Sequence, residues 1–413
     1  MKMIKIAWIC HFSNAEVQRK LNLNKKINEM APWIPALAKL FEGRDEVELH
    51  VISPHEYISG YKYFEIRGIH YHFFNAHIPF WGRHWPIFFK FDYWTDFYFT
   101  KKTVKKIVNQ IQPDLIHLHG AENAYYSSSI LQFKNDYPVL VTIQGFISHT
   151  RDKSHYQIKK RIQCEQQILK TLKHFGYRTK TMGEDIKKYN PEAELYWHHY
   201  PFPEIKPYEV EKKFDIVFFA RVTKDKGIED LLKALAILKK NRSDVSLCII
   251  GGAHPNYIVF LKKMADQLAI SNNILWAGFL PKQEEVHKLA ASARISVLPT
   301  YHDIISGTII ESMFLKLPVV AYNVGSIHEV NSSGLKYVHL VEKGNVNEFA
   351  MKIQELLIKP QQYLENLGQA GFQRAQYLFN SDSIFDDLTK AYASIKIDIK
   401  NINLHYSNQP FEN

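Results

Sequence analysis

The segment Pro299-Thr-Tyr-His-Asp-Ile-Ile-Ser-Gly-Thr-Ile-Ile-Glu311 has the pattern of a strand-to-helix transition in a parallel α/β sheet. It follows a predicted strand, Ile295–Leu298, and leads into a helix predicted over 308–315. Residues 306–308 form the expected first turn of that helix. Free N–H groups at such a turn bind anions, so the sequence predicts a diphosphate site here.

Two carboxylates flank the predicted turn. Asp303 lies on the loop before it, and Glu311 lies about one helical turn inside the helix. A diphosphate at the turn would leave one carboxylate for each hydroxyl-rich end of a nucleotide sugar. On spacing alone, a capping carboxylate and a solvated helix acid explain the pattern at least as well.

Short apolar runs alternate with helical patterns along almost all of the 413 residues. The predicted strands are Ile4–Ile9, Val47–Ile52, Leu115–His119, Val139–Ile143, Ile216–Ala220, Ser246–Ile250, Ile274–Trp276, Ile295–Leu298 and Val319–Ala321. The predicted helices include Trp33–Phe41, Thr103–Ile111, 228–240, 257–269, 283–292 and 308–315. This alternation predicts parallel, doubly wound sheets.

The alternation breaks near residues 200–213, where Pro201, Pro203 and Pro207 precede a charged stretch. We therefore expect an N-terminal domain over 1–205 and a C-terminal domain over 206–375. The remaining residues, 376–413, contain one more helical pattern, Ile384–Ile395, and a polar tail.

Ligands of open parallel sheets bind beyond the carboxyl ends of the strands. In the second half, Arg221 and Lys226 follow the first strand and could bind phosphate, although a solvated basic loop fits equally well. The pair Gly251-Gly252 follows the second strand and is on its own more typical of a plain turn. No third glycine completes the dinucleotide-binding pattern GxGxxG.

The composition is that of an ordinary globular protein, with 46% hydrophobic and 23% charged residues. Cys10, Cys164 and Cys248 are scattered, which argues against a disulfide framework and a zinc site. Cys10 and Cys248 lie in apolar runs and are expected in the core. No signal peptide or transmembrane run is recognisable, so we expect a cytoplasmic protein, either free or held peripherally at the inner face of the membrane.

The net charge of +10 favours anionic partners. The stretch Phe73–Phe99 is dense in aromatic residues, and Lys101, Lys102, Lys105 and Lys106 follow it. Such a region could rest on an anionic membrane or bind a lipid-linked acceptor. An aromatic core beside a solvated basic helix face is the slightly favoured interpretation.

Several motifs in order resemble the retaining glycosyltransferases of group 1, or family 4, which have the GT-B fold. Two acids separated by seven residues, Asp303 and Glu311, are followed by Leu317-Pro-Val-Val-Ala321 and Gly325-Ser-Ile-His-Glu329. Upstream, the resemblance includes Ala220-Arg-Val-Thr-Lys-Asp-Lys226-Gly, Ile249-Ile-Gly-Gly252, Gly278-Phe-Leu280 and Pro113-Asp-Leu-Ile-His-Leu-His119-Gly.

The resemblance implies two Rossmann-like domains facing a cleft, with the C-terminal helix packing back on the first domain. It implies that Arg221, Lys226 and the turn at Gly307-Thr308 stabilise the leaving diphosphate. Glu311 would hold the ribose and Asp303 the transferred sugar. The other implied donor-binding residues are Gly251, Gly252 and Phe279.

On the acceptor side, the resemblance implies roles for His119 and for Gln144, which stands where many members have histidine. The expected reaction moves a sugar from a UDP or GDP sugar to a saccharide or lipid-linked acceptor, in cell-surface polysaccharide synthesis. No metal, other cofactor or nucleic-acid partner is expected. The alternatives are a nicotinamide oxidoreductase, which lacks its glycine pattern here, and a non-catalytic basic binding protein.

Overall fold

The computed structural model describes residues 3–23, 32–55, 58–75, 92–150, 152–203, 205–331 and 334–407, with side chains described as far as residue 396. The chain divides into two compact units. Unit 1 comprises Met1–Phe202 and Asn380–Asn413, and unit 2 comprises Pro203–Phe379.

Unit 1 is built on an eight-stranded sheet with the order β3-β4-β2-β1-β5-β6-β7-β8. Its strands are β1 Ile4–Ile9, β2 Val47–His55, β3 Tyr61–Ile66, β4 Ile69–Asn75, β5 Leu115–His119, β6 Val139–Thr142, β7 His174–Tyr177 and β8 Glu194–Trp197. Its helices are α1 Ala15–Lys20, α2 Trp33–Lys39, α3 Tyr98–Ile111, α4 Ala124–Ser127, α5 Tyr156–Thr171 and α6 Lys180–Tyr189. The strands pair in parallel except β3, which is antiparallel to β4.

The strands β3 and β4 form a hairpin at the edge of this sheet. Arg67 and Gly68 connect them, with φ angles of 49° and 80°. Positive φ at both positions is typical of a two-residue type I′ turn, whose twist matches that of the strands. The β3 side chains are mostly exposed, as expected of an edge strand.

The last helix of the chain, α13 (Ser381–Ser407), completes the core of unit 1. Leu388, Tyr392 and Ile395 are fully buried in the cluster that contains Trp8. The Tyr392 hydroxyl accepts a hydrogen bond from Trp8 Nε1 at 2.9 Å and lies 2.8 Å from Nδ1 of His117. A polar contact inside an apolar core favours one register of the helix over its alternatives.

Unit 2 is built on a six-stranded, all-parallel sheet with the order β11-β10-β9-β12-β13-β14. Its strands are β9 Phe214–Phe219, β10 Leu247–Ile250, β11 Ile274–Gly278, β12 Ala293–Leu298, β13 Val319–Tyr322 and β14 Val338–Val341. Its helices are α7 Ile228–Asn241, α8 Pro255–Gln267, α9 Gln283–Ala291, α10 Gly307–Phe314, α11 Val346–Leu357 and α12 Gln361–Leu378. The doubly wound architecture predicted from the sequence is confirmed in both units.

Every predicted strand has a counterpart within a few residues of its expected ends. Within the described ranges, five strands were not predicted: β3, β4, β7, β8 and β14. Cys10 and Cys248 are buried as expected, and Cys164 is partly exposed.

The aromatic stretch falls partly outside the described residues, and with it Phe80, Trp81, Arg83, His84, Trp85, Phe88, Phe89, Lys90 and Phe91. Of the described part, Phe73 and Phe97 are buried. Trp94 and Tyr98 are 67% and 55% exposed. The core interpretation therefore holds for some of these rings and is wrong for others.

Candidate active site

The loops at the carboxyl edge of the unit 2 sheet are joined by backbone hydrogen bonds. Val222 N donates to Gly252 O at 2.9 Å, and Gly251 N donates to Gly278 O at 2.8 Å. Tyr301 N donates to Asp225 O at 2.8 Å. The loops that follow β9, β10, β11 and β12 therefore form one continuous edge.

Two glycines permit this close approach. A Cβ on Gly227 would lie 1.9 Å from the carbonyl oxygen of Pro299, and one on Gly251 would lie 1.8 Å from that of Ala220. Both residues also have positive φ, at 74° and 148°. Gly251, predicted to bind the donor, has a clear packing role; its contact with a donor stays a prediction.

Lys226 and Asp303 form an ion pair at this edge. Lys226 Nζ lies 2.6 Å from Asp303 Oδ2, and the Thr300 hydroxyl donates to the same oxygen at 2.9 Å. The two charged side chains are only 13% and 21% exposed. A predicted phosphate-binding cation and a predicted sugar-binding acid are thus neighbours, although they lie 77 positions apart in the sequence.

The loop that carries Asp303 is held from both sides. A Cβ on Gly325 would lie 2.0 Å from the carbonyl oxygen of Asp303, and Ser326 N donates to Ile304 O at 2.8 Å. Tyr301 and Tyr322 both donate to Asp230 Oδ2, at 2.5 and 2.9 Å. The hydrogen bond to Asp230, followed by burial, raises the pKa of Tyr301 to about 12, so its hydroxyl stays protonated at neutral pH. No pattern in the sequence indicated these contacts.

Helix α10 begins beside the end of β9. Thr308 Oγ1 donates to Phe219 O at 3.2 Å and so anchors the first turn of α10 to the end of β9. The exposed Arg221 follows Phe219 by two positions. Ser306, the residue before α10 begins, has an extended backbone, and its side chain makes no capping hydrogen bond. The first N–H groups of a helix have no intrahelical partner, so the turn at Gly307 and Thr308 presents donors to a ligand.

Glu311 lies one turn further along α10 and contacts α9. Its Oε2 accepts a hydrogen bond from Gln283 Nε2 at 3.2 Å and lies 3.4 Å from His287 Nε2. The Glu311 side chain is 21% exposed. The predicted acid is therefore held by two neighbours that the sequence did not indicate, and it keeps access to solvent.

Phe279, another predicted donor-binding residue, is highly exposed, with 75% of its surface accessible. A Cβ on Gly252 would be in ordinary contact with Phe279 Cβ, at 3.7 Å. An exposed ring beside a bare backbone offers a flat surface to a nucleotide base.

The two acceptor-side predictions belong to unit 1 and meet at Tyr200. The Tyr200 hydroxyl accepts a hydrogen bond from Gln144 Nε2 at 3.2 Å and lies 3.4 Å from Nδ1 of His119. His119 is fully buried, and its Nε2 has no hydrogen-bond partner. Burial, with a smaller effect of His198, holds the pKa of His119 well below its usual range, so the ring is neutral.

Glu122 and Arg178 complete this group and were not predicted. The Arg178 guanidinium lies 5.1 Å above the Tyr200 ring and donates to Gln144 O at 2.8 Å. Glu122 has an enclosed Oε2 atom without a hydrogen-bond partner. Burial raises the pKa of Glu122 to about 7, against smaller opposing effects of a backbone hydrogen bond and of Arg161 and Arg178. A carboxyl group with that pKa exchanges protons near neutral pH.

Two family models match the chain. Residues 203–374 match the model described as glycosyl transferases group 1, and residues 45–171 match the one described as glycosyl transferase 4-like. The chain therefore contains a group 1 glycosyltransferase domain and a glycosyl transferase 4-like domain, as its motifs predict.

Curated relatives align over part of the chain only. The capsular polysaccharide biosynthesis glycosyltransferase CapM of Staphylococcus aureus is 26% identical over 43% of this chain and 46% of its own length. The MMP alpha-(1->4)-mannosyltransferase of Mycolicibacterium hassiacum is 30% identical over 40% of this chain and 39% of its own. The chain thus spans less than half the length of these relatives.

Solved structures share the fold along nearly the whole chain. Sucrose-phosphate synthase of Thermosynechococcus elongatus superposes with a TM-score of 0.67 at 17% identity, covering 95% of this chain and 99% of its own. HepE of Anabaena in complex with UDP gives a TM-score of 0.67 at 15% identity, covering 95% and 100%. These likenesses establish the GT-B fold.

Within the part of the chain that the structure describes, no helix combines the length and the apolar character needed to cross a membrane.

Proposed function

We propose that this protein transfers a sugar, with retention of anomeric configuration, from a UDP or GDP sugar to a saccharide or lipid-linked acceptor. The observation that carries the proposal is the Lys226–Asp303 pair, which lies at the sheet edge where α10 also begins. Cation and helix turn suit a diphosphate, and the adjacent carboxylate suits the sugar attached to it.

Donor binding would exchange the partners of Lys226. In the free protein the ammonium group is neutralised by Asp303. A bound diphosphate brings two or more negative charges to this edge, so Lys226 turns to the phosphate, and Asp303 accepts hydroxyl groups of the sugar instead. Arg221 and the N–H groups of Gly307 and Thr308 add stabilisation where charge builds up on the leaving group.

The two ends of the donor would be held by different residues. Glu311, oriented by Gln283 and His287, accepts the ribose hydroxyls. Phe279 stacks on the base beside Gly252. HepE, which shares the fold, was determined in complex with UDP, and this supports a nucleotide-sugar donor for the present chain.

In the transfer itself, the bond between the anomeric carbon and the diphosphate oxygen breaks. The acceptor hydroxyl oxygen forms the new bond on the same face of the sugar, and its proton passes to the departing phosphate. Lys226 and Arg221 stabilise the negative charge left on the diphosphate. This scheme needs neither a protein base nor a metal ion.

The acceptor would bind to the group around Tyr200 in unit 1. His119 Nε2 and Glu122 Oε2 are enclosed polar atoms without partners, as expected of groups that bond to a ligand hydroxyl. The match to CapM, a capsular polysaccharide enzyme, supports a role in surface polysaccharide synthesis.

A weak contact with anionic membranes is part of the proposal. Near the beginning of α3, Trp94 and Tyr98 are exposed, and Lys102, Lys105 and Lys106 are exposed along the helix. Exposed rings next to lysines suit a membrane surface that carries acidic lipids. Salt-sensitive cosedimentation with anionic vesicles would support this contact, and its absence at low ionic strength would exclude it.

The test of the transferase proposal is a panel of UDP and GDP sugars. Thermal shift should identify one nucleotide, and hydrolysis or transfer of the matching sugar should follow. The product's anomeric configuration, read by NMR, decides between retention and inversion. The proposal would be refuted if the wild-type chain neither bound nor turned over any sugar nucleotide of the panel.

A further inference from the structure

A group of polar side chains occupies the face of the unit 1 sheet opposite its core cluster. In β2 and β4, Leu49 and Tyr71 belong to that core. Because successive side chains of a strand alternate, Glu48, His50 and His70 lie on the other face. The parallel register places His50 directly beside His70.

We infer that Glu48, His50 and His70 bind one zinc ion. A carboxylate oxygen and one ring nitrogen from each histidine lie within 4.8 Å of one another. Two imidazoles and a carboxylate suit zinc, whereas magnesium and calcium prefer oxygen ligands alone. The side chains of Glu48, His50 and His70 are 22%, 9% and 22% exposed, so the site is partly shielded from water and still accessible to an entering ion.

Both imidazoles are already oriented through a second hydrogen bond. Nδ1 of His50 lies 3.0 Å from Nε2 of His72, whose own Nδ1 lies 2.7 Å from the Tyr61 hydroxyl. The Tyr63 hydroxyl lies 2.9 Å from Nδ1 of His70. Histidines that bind metals usually have such a partner on the other ring nitrogen.

The remaining nitrogen of His50 faces the carboxylate. Its Nε2 lies 2.8 Å from Glu48 Oε1, where it donates a proton in the ion-free protein. Zinc would bind Nε2 of the other neutral tautomer of His50, in which the ring proton lies on Nδ1 and is donated to Nε2 of His72. Lys5 Nζ, 3.1 Å from the same oxygen, would lose part of its attraction to Glu48. Water would occupy the fourth position.

Such an ion would have a structural effect. It would connect β2 to β4, and so hold the β3–β4 hairpin to the rest of the sheet. All three ligands belong to unit 1, whereas the proposed donor site belongs to unit 2. Zinc binding and donor binding are therefore separable in experiments.

The test uses the full chain after treatment with a chelator and its removal. Titration with zinc chloride against a chromophoric competitor should show one tight site, and zinc should raise the melting temperature. His70→Gln should weaken zinc binding roughly a hundredfold or more, and Tyr63→Phe, which removes the hydrogen-bond partner of His70 Nδ1, about tenfold. His254→Gln changes an exposed histidine of unit 2 and should leave zinc affinity unchanged.

Tight zinc binding that is equal in His70→Gln and in the wild type would overturn the inference, as would a wild-type chain that binds no zinc. Melting curves in chelator establish that each variant is folded. If His70→Gln does not fold, Glu48→Gln serves as the second ligand variant, with the same expected loss.

Discussion

Removing the ammonium group of Lys226 affects both stability and catalysis, and the two effects can be separated. In Lys226→Met, Asp303 keeps the Thr300 hydroxyl but loses its cation, in a place where its side chain is only 21% exposed. A charge-assisted hydrogen bond contributes about 1.5–3 kcal/mol, so the free energy of unfolding should fall by that amount. If the same group binds the diphosphate, kcat/KM should fall by roughly ten- to a hundredfold.

The double variant Lys226→Met/Asp303→Asn separates the contributions. Neutralising Asp303 removes the stranded charge, so most of the lost stability should return, with a coupling energy of roughly 1–2 kcal/mol. Activity should not return, because neither residue can then serve the donor. Urea unfolding of the four proteins gives the stability cycle, and initial rates with the identified sugar nucleotide give kcat/KM.

Lys233→Met is the matched control. Lys233 pairs with Asp230 at 3.4 Å, three residues earlier on α7, but its side chain is 50% exposed. An exposed pair contributes about 0–1 kcal/mol, so stability should barely change and activity should be retained. Wild-type kcat/KM in Lys226→Met would refute the role in donor binding. A double variant no more stable than Lys226→Met would refute the energetic importance of the pair.

Three further outcomes are expected. Glu311→Gln should weaken the binding of free nucleotide, whereas Asp303→Asn should leave that binding nearly unchanged and lower turnover. If isothermal titration gives the opposite order of affinities, the two ends of the donor are bound in the reverse orientation. Phe279→Ala should raise the Kd of the nucleotide by loss of base stacking, with no change in the melting temperature. Glu122→Gln should change the pH dependence of stability. The pKa of Glu122 rises from 4.5 to about 7 on folding, so the wild type loses stability as the pH rises through that range, by at most roughly 3 kcal/mol. The variant should not show this loss.

Much of the fold follows from local pattern, because buried parallel strands are continuous apolar runs. Ile4–Ile9 and Leu115–His119 were predicted with their observed ends. The strands that were not predicted lack this signal. Tyr61–Ile66 is an exposed edge strand that mixes aromatic and charged residues, and His174–Tyr177 spans four residues that include a glycine. Their pairing depends on neighbours that are distant in sequence.

The candidate site likewise combines residues that local sequence predicts with contacts that only the folded chain creates. Arg221, Lys226, Asp303 and Glu311 could be named because they follow strand ends or begin a helix. That Lys226 contacts Asp303 could not, since it depends on the approach of two loops. Glu122 had a weak signal, an acid three residues after His119 at a strand end. Its raised pKa, however, comes from burial, which only the folded chain creates.

The contacts of Tyr392 have a consequence for the order in which the chain can fold during synthesis. Unit 2 is continuous in sequence and can fold as soon as it leaves the ribosome, whereas unit 1 is interrupted by it. Until Leu388 and Tyr392 emerge, the apolar surface around Trp8 lacks its cover. The N-terminal part of unit 1 therefore stays incompletely packed until the whole of unit 2 has been translated. A premature stop before α13 would release an intact unit 2 joined to an open unit 1, a natural substrate for chaperones and proteases.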